Sequence, residues 1–118
     1  MKKIIFIILF GVVILACDDI IEVEDISERT VTVLAPTDES ILTITDVNFS
    51  WNDVEDSEQY RLQIATPDFE TATQIVLDTT IVFTNFTKTL ELGNYEWRIR
   101  AENSDYQTAY TTQRFSIE

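Results

Sequence analysis

The chain has 118 residues, of which 21 are acidic and 8 are basic, and its formal charge is −13. It contains no histidine and a single cysteine, Cys17. These counts exclude an intrachain disulfide and the Ser-His and Cys-His catalytic systems. The acidic balance also repels nucleic acid and anionic lipid headgroups. We therefore expect no nucleic-acid partner, no cofactor and no enzymatic activity.

The N-terminal segment has the layout of an export signal. Lys2 and Lys3 precede an uncharged run that ends at Leu15, which is shorter than the roughly 20 residues of a membrane-spanning helix. The sequence Ile-Leu-Ala-Cys that ends at Cys17 resembles the lipobox of bacterial lipoprotein signal peptides, although a residue smaller than Leu15 is usual there. The resemblance implies that residues 1–16 are removed. It also implies that acyl chains such as palmitate, attached to Cys17, hold the protein to the outer membrane.

Residues 17–30 are predicted to form an acidic tether. Six of the thirteen residues 18–30 are acidic, and like charges favour an extended chain. The segment also resembles the export signal that sends some Gram-negative lipoproteins to the outer cell surface. The sequence leaves open both a plain solvated tether and such a sorting signal, and with them the periplasmic or external position of the domain.

Residues 31–118 are predicted to form a seven-stranded antiparallel β-sandwich. Short runs with β-strand composition or alternation recur about every ten residues, and no run keeps a helical period. A short extended piece is expected at 41–44. The seven predicted strands are 31–35, 47–51, 60–64, 73–77, 83–90, 95–101 and 108–117.

Three motifs narrow this class: Phe49-Ser50-Trp51, Tyr60-x-Leu62-x-Ile64, and a run from Leu90 through Gly93, Tyr95, Trp97 and Ile99 to Asn103. Together they resemble a fibronectin type III domain, particularly the variants in surface lipoproteins of Gram-negative bacteria, including components of glycan-uptake systems. The resemblance implies that Trp51 packs in the core and that Tyr95 forms a tyrosine corner. The chain departs from the family at Leu92, where proline is common.

The aromatic residues divide by alternation into two groups. Those on inward positions are expected in the core: Phe49, Trp51, Tyr60, Tyr95, Trp97 and Phe115. Phe69, Tyr106 and Tyr110 lie in or beside predicted loops instead. Tyr106 and Tyr110 flank the last strand connection, so they are candidates for stacking on a sugar ring, the alternative being packing over the edge of the core.

Four arginines have the opposite parity and are predicted to point outward: Arg61, Arg98, Arg100 and Arg114. In the fibronectin type III arrangement they share one outer face, on strands C, F and G. Two interpretations remain open. They either form ion pairs with Glu96 and Glu102, or they form a docking face for an acidic partner or polysaccharide.

Two further motifs carry less information. The acidic loop from Asp53 to Glu58 has oxygen ligands that suit calcium but lacks EF-hand spacing, so no metal is expected. Asp78-Thr79-Thr80 resembles an O-glycosylation site of some Gram-negative exporters, and the sequence leaves open whether it is modified. We therefore expect a non-catalytic envelope lipoprotein that binds a glycan or an envelope protein. The alternative is a structural spacer or assembly subunit without a ligand.

Overall fold

The computed structural model describes residues 22–118, and they form two β-sheets packed face to face. Cys17, the predicted signal peptide and the first residues of the predicted tether lie outside the described range. The part of the chain that is described contains no helix long and apolar enough to cross a membrane. The strands are β1 (Val33–Ala35), β2 (Ser40–Leu42), β3 (Asp46–Trp51), β4 (Gln59–Thr66), β5 (Gln74–Ile81), β6 (Asn85–Thr89), β7 (Gly93–Glu102) and β8 (Thr111–Ile117).

The sheets have the orders β1-β3-β6 and β2-β8-β7-β4-β5. This confirms the predicted β-sandwich, with two differences. The short extended piece at 41–44 is a strand, β2, so the described residues contain eight strands and not seven. In addition, β2 pairs with β8 in parallel, whereas the other strand pairs are antiparallel. The chain reaches this geometry by crossing from one sheet to the other between β1 and β2.

The core is dominated by aromatic side chains that alternation assigned correctly. All six predicted inward rings are buried. Phe49 from one sheet meets Trp97 from the other edge-to-face, with ring centroids 5.0 Å apart. Trp51 and Tyr60 are 5.7 Å apart in a similar arrangement, and Tyr95 stacks on Phe115 at 5.4 Å. Such pairs add to the stabilisation from burial of apolar area.

The start of β7 has the predicted tyrosine corner. The hydroxyl of Tyr95 donates a hydrogen bond of 2.7 Å to the Glu91 carbonyl, four residues upstream. Between them Gly93 has a φ of 153°, a conformation that L-residues with a side chain rarely adopt. The corner therefore fixes the direction in which β7 enters the sheet.

The packed part of the chain begins before residue 31. Ile26 is fully buried in the core, and Arg29 forms an ion pair of 3.1 Å with Asp56. The carbonyl of Glu24 also accepts a hydrogen bond from the Asn103 side chain. These contacts differ from the expectation that residues 18–30 are solvated throughout. Ile26 packs in the hydrophobic core, and the free energy gained from this burial outweighs the repulsion between the neighbouring charges.

Candidate functional site

The four predicted arginines lie on the outer face of the five-stranded sheet, which we call the arginine face. Directly opposite residues on neighbouring strands share a face, and the register pairs Arg61 with Arg100 and Arg114 with Glu96. Arg98 lies opposite Gln63 in the same register. The parity argument is therefore confirmed as geometry, and strands β4, β7 and β8 position these side chains.

Three of the four arginines form ion pairs on this face. Arg61 binds Asp78 through two hydrogen bonds of 2.8 and 3.0 Å. Arg100 pairs with Glu102 at 2.8 Å within β7, and Arg114 pairs with Glu96 across strands at 3.1 Å. The predicted pairing with Glu96 and Glu102 is thus present. Of these two predicted pairs, the Glu96 pair joins neighbouring strands and the Glu102 pair lies within β7.

These ion pairs shift the acidity of their carboxylates. The Arg61 guanidinium hydrogen-bonds Asp78 and lowers the pKa of that carboxyl. Burial raises the pKa of Glu102, but hydrogen bonds from Gln59 and Arg100 outweigh this effect and hold that pKa below its usual value. Both carboxylates therefore stay ionised at neutral pH and neutralise their arginines.

Arg98 is held by aromatic rings in place of a carboxylate. Its guanidinium carbon lies 4.1 Å from the centre of the Phe69 ring and 4.5 Å from that of Tyr110. The guanidinium of Arg100 lies 4.7 Å from the same Tyr110 ring. Each distance is within the range of a cation–π interaction. We call this set of four side chains (Phe69, Arg98, Tyr110 and Arg100) the arginine–aromatic stack.

The loop between β4 and β5 places Phe69 in the stack. Its backbone N–H donates to a Glu96 carboxylate oxygen at 2.9 Å, which ties the loop to β7. The loop is also folded by Asp68, whose carboxylate accepts hydrogen bonds of 2.7 Å from the Thr71 backbone N–H and hydroxyl. The backbone hydrogen bond from Thr71 lowers the pKa of Asp68. Glu96 therefore holds both Arg114 and the loop that carries Phe69.

The loop between β7 and β8 places the two predicted tyrosines differently. Tyr110 is half-buried beneath two guanidiniums, so it holds arginines and its ring is not free for a sugar. Tyr106 is exposed. The side chain of Asn103 shapes this loop, since its oxygen accepts hydrogen bonds from the backbone N–H groups of Asp105 and Tyr106.

An open groove of about 600 Å³ lies beside the stack. Arg61, Arg100 and Tyr106 line it, together with the Glu102 and Asp105 carboxylates and other polar side chains of the β7–β8 loop. Arg114 lies at another cavity, of about 420 Å³, with Asn94 and Asp68. The structure therefore brings five predicted contact residues to one region (Arg61, Arg98, Arg100, Tyr106 and Tyr110) and leaves Arg114 at a separate cavity.

The acidic loop before β4 is organised by protein contacts. The buried Tyr60 hydroxyl donates to the Asp53 carboxylate at 2.7 Å and accepts from the Val54 backbone N–H at 2.8 Å. Within residues 22–118 no group of three or more acidic or cysteine side chains has the geometry to hold a metal ion. In the Asp78-Thr79-Thr80 motif, Thr79 is half-buried opposite Leu62, and Thr80 is exposed.

Solved structures similar to this chain are fibronectin type III domains. A fibronectin(III)-like module of CbhA from Clostridium thermocellum aligns with a TM-score of 0.55 at 9% identity, over 75% of this chain and 96% of that one. The fold is fibronectin type III-like. A human fibronectin type III domain, from the KIAA0970 protein, aligns with a TM-score of 0.54 at 13% identity, over 75% of this chain and 72% of that one. No family model and no curated protein matches the sequence.

At these identities the comparison establishes a fibronectin type III-like fold alone, so any function has to be argued from the surface.

Sequence reasoning missed the role of Phe69 as a partner of Arg98. It also missed Gln63, whose side-chain oxygen accepts a 2.6 Å hydrogen bond from Arg98 Nε. Parity places Gln63 beside Arg98, but no sequence signal shows that Phe69, three residues beyond the end of β4, folds back over Arg98.

Proposed function

We propose that this chain is a non-catalytic binding module of the bacterial outer membrane, anchored by acyl chains on Cys17, with the arginine–aromatic stack and the groove beside it as the ligand surface. The ligand class that the surface suits best is a glycan. The arginine–aromatic stack carries the proposal, because it presents ordered cationic and aromatic side chains on a rigid sheet beside an exposed Tyr106.

The anchoring part of the proposal rests on the sequence around Cys17. Without residues 1–16 the chain has six basic and 21 acidic side chains, a formal charge of −15. Such a surface is repelled by anionic lipid, so the acyl chains would supply the membrane attachment. We expect Cys17→Ser to move the protein from the membrane fraction to the soluble fraction and to abolish palmitate labelling. A variant that stays in the membrane fraction would contradict the lipoprotein assignment.

The position of the domain is a separate question with its own test. Protease treatment of intact cells, compared with permeabilised cells, reports whether the domain faces outward. Degradation in intact cells supports the sorting-signal interpretation of residues 18–30. Protection until permeabilisation supports a periplasmic domain on a plain tether.

The binding part is tested with an array of neutral and acidic oligosaccharides, using the detergent-solubilised mature protein. We expect binding to a restricted set of glycans and its loss in Tyr106→Ala, whose ring is exposed at the groove. Leu92→Ala is the matched control, since Leu92 is exposed but does not line the groove.

A structural spacer is the second candidate, and one observation favours it. Three of the four arginines already have carboxylate partners, an arrangement that stabilises a sheet without any ligand. An array without binding, together with co-purification of one envelope protein that Tyr106→Ala does not disturb, would support the spacer and overturn the glycan proposal.

A further inference from the structure

Arg98 differs from its neighbours on the arginine face in having unused hydrogen-bonding capacity. Within residues 22–118 no carboxylate lies within 4.0 Å of its guanidinium, whereas Arg61, Arg100 and Arg114 each have one. Its one hydrogen bond there is from Nε to Gln63. The two Nη nitrogens therefore donate no hydrogen bond in the described part of the protein.

The surroundings of Arg98 hold the guanidinium in one orientation. The guanidinium carbon lies 4.1 Å from the centre of the Phe69 ring and 4.5 Å from that of Tyr110. The Nε–H donates a hydrogen bond of 2.6 Å to the Gln63 side-chain oxygen. The two rings and the Nε acceptor account for these contacts, and the two Nη groups remain without a hydrogen-bond partner within residues 22–118. A planar fork held in this way matches a carboxylate with two parallel hydrogen bonds, and less conformational freedom is lost on binding.

We propose that the Nη edge of Arg98 binds the carboxylate of a hexuronate residue in a glycan. This inference rests on the proposed glycan-binding function and names its ligand class. The neighbouring groove suits a neutral remainder of such a ligand, since Ser104 and Gln107 supply hydrogen-bonding groups and Tyr106 supplies an exposed ring, while the Glu102 and Asp105 carboxylates there would repel a second anion.

The net charge of the protein limits the number of carboxylates that the ligand can carry. A chain with a formal charge of −15 after removal of residues 1–16 repels a polyanion at distances up to about 10 Å, the screening length in 0.1 M salt. The other three arginines of the arginine face are paired with carboxylates, so Arg98 is the one guanidinium of this face that is left to bind a ligand carboxylate. The ligand is therefore an oligosaccharide with an isolated hexuronate among neutral sugars, and not a polyuronate.

The test measures binding of the detergent-solubilised mature protein to two mono-acidic oligosaccharides, cellobiouronic acid and aldotetraouronic acid. Each is compared with its methyl ester, which removes the charge and one acceptor, and with trigalacturonate. We expect at least one acid to bind about tenfold more tightly than its ester and than trigalacturonate. Arg98→Lys keeps the charge but loses the fork, so it should weaken that binding by about tenfold as well.

Arg114→Gln is the matched control, because it removes a positive charge from the same sheet face but lies at the other cavity. It should change the affinity by less than about threefold, since exposed charges on a rim contribute little. Thermal unfolding of both variants confirms that they are folded before binding is compared.

The possible outcomes separate this inference from the function on which it rests. Binding of neutral glycans without a preference for acid leaves the glycan-binding proposal standing and overturns the role of Arg98. Equal losses in Arg98→Lys and Arg114→Gln overturn it too, because they show that binding does not depend specifically on the Arg98 fork. Binding of a hexaglutamate peptide in place of every glycan overturns both proposals in favour of a protein partner.

Discussion

Strand β7 has two faces that are built from similar side chains in opposite ways. On its inner face Trp97 and Tyr95 are buried among other rings, with Phe49 5.0 Å from Trp97. On its outer face the rings come from loops and lie against arginines of the strand. Rings that pack on rings exclude water from a core, whereas rings that pack on guanidiniums keep charged groups ordered at a surface. The same strand thus supplies stability on one side and an oriented set of cations on the other.

Loss of a ring on the inner face should have the largest effect on stability. Trp97→Ala removes a fully buried side chain that contacts Phe49 and whose indole N–H donates to the Pro36 carbonyl at 3.3 Å. We expect the free energy of unfolding to fall by about 3–5 kcal/mol. Urea denaturation measures this. Phe83→Ala, at a ring that is 70% exposed, should stay within about 0.5 kcal/mol of the wild type. Similar losses in the two variants would contradict the assignment of the core.

Ile26 tests whether the inner layer extends into the acidic N-terminal segment. Because its side chain is fully buried, Ile26→Ala should lower the free energy of unfolding by about 2–5 kcal/mol. Ile44→Ala is the matched control, since Ile44 is 59% exposed. If Ile26→Ala lowered the free energy of unfolding by less than about 0.5 kcal/mol in urea denaturation, residues 18–30 would be better described as a fully solvated tether.

The difference between the two faces also explains which features were predictable from sequence. Strict alternation in β3, β4 and β7 predicts the inner face, since one side of a strand must be buried. It predicts the outward direction of Arg98 for the same reason. It does not predict that Phe69 covers Arg98, because this contact depends on a loop held by the Glu96 carboxylate. The sequence does not predict the burial of Ile26 either, because the apolar residues of the acidic segment follow no sustained period.

The outer face should contribute less stability, through coupling between Phe69 and Arg98. A double-mutant cycle with Phe69→Leu and Arg98→Gln should give an interaction energy of about 0.5–1 kcal/mol, as expected for a cation–π contact at a partly exposed site. The control cycle combines Phe69→Leu with Arg61→Gln, whose guanidinium pairs with Asp78 and forms no cation–π interaction with Phe69 in the described structure. Its interaction energy should be near zero. Equal coupling in both cycles would show that the stack is not specific.

The two faces should also limit stability at opposite ends of the pH range. Hydrogen bonds from Gln59 and Arg100 hold the pKa of Glu102 below its usual value, although burial alone acts to raise it. These contacts therefore stabilise the fold above about pH 4.3, and their contribution is lost as the pH falls through the folded-state pKa. Glu102→Gln should flatten the acid side of the stability curve measured by thermal unfolding.

On the inner face, burial raises the pKa of Tyr60 above its usual value of about 10. A raised pKa contributes stability that is complete below about pH 10 and is lost as the pH rises toward the folded-state pKa. Tyr60→Phe should remove part of this alkaline loss and leave the acid side unchanged, while Glu102→Gln should do the reverse. If either variant altered both the acid and the alkaline side of the stability curve, the two faces would not act independently. The arginine–aromatic stack would then have to be treated as part of the core.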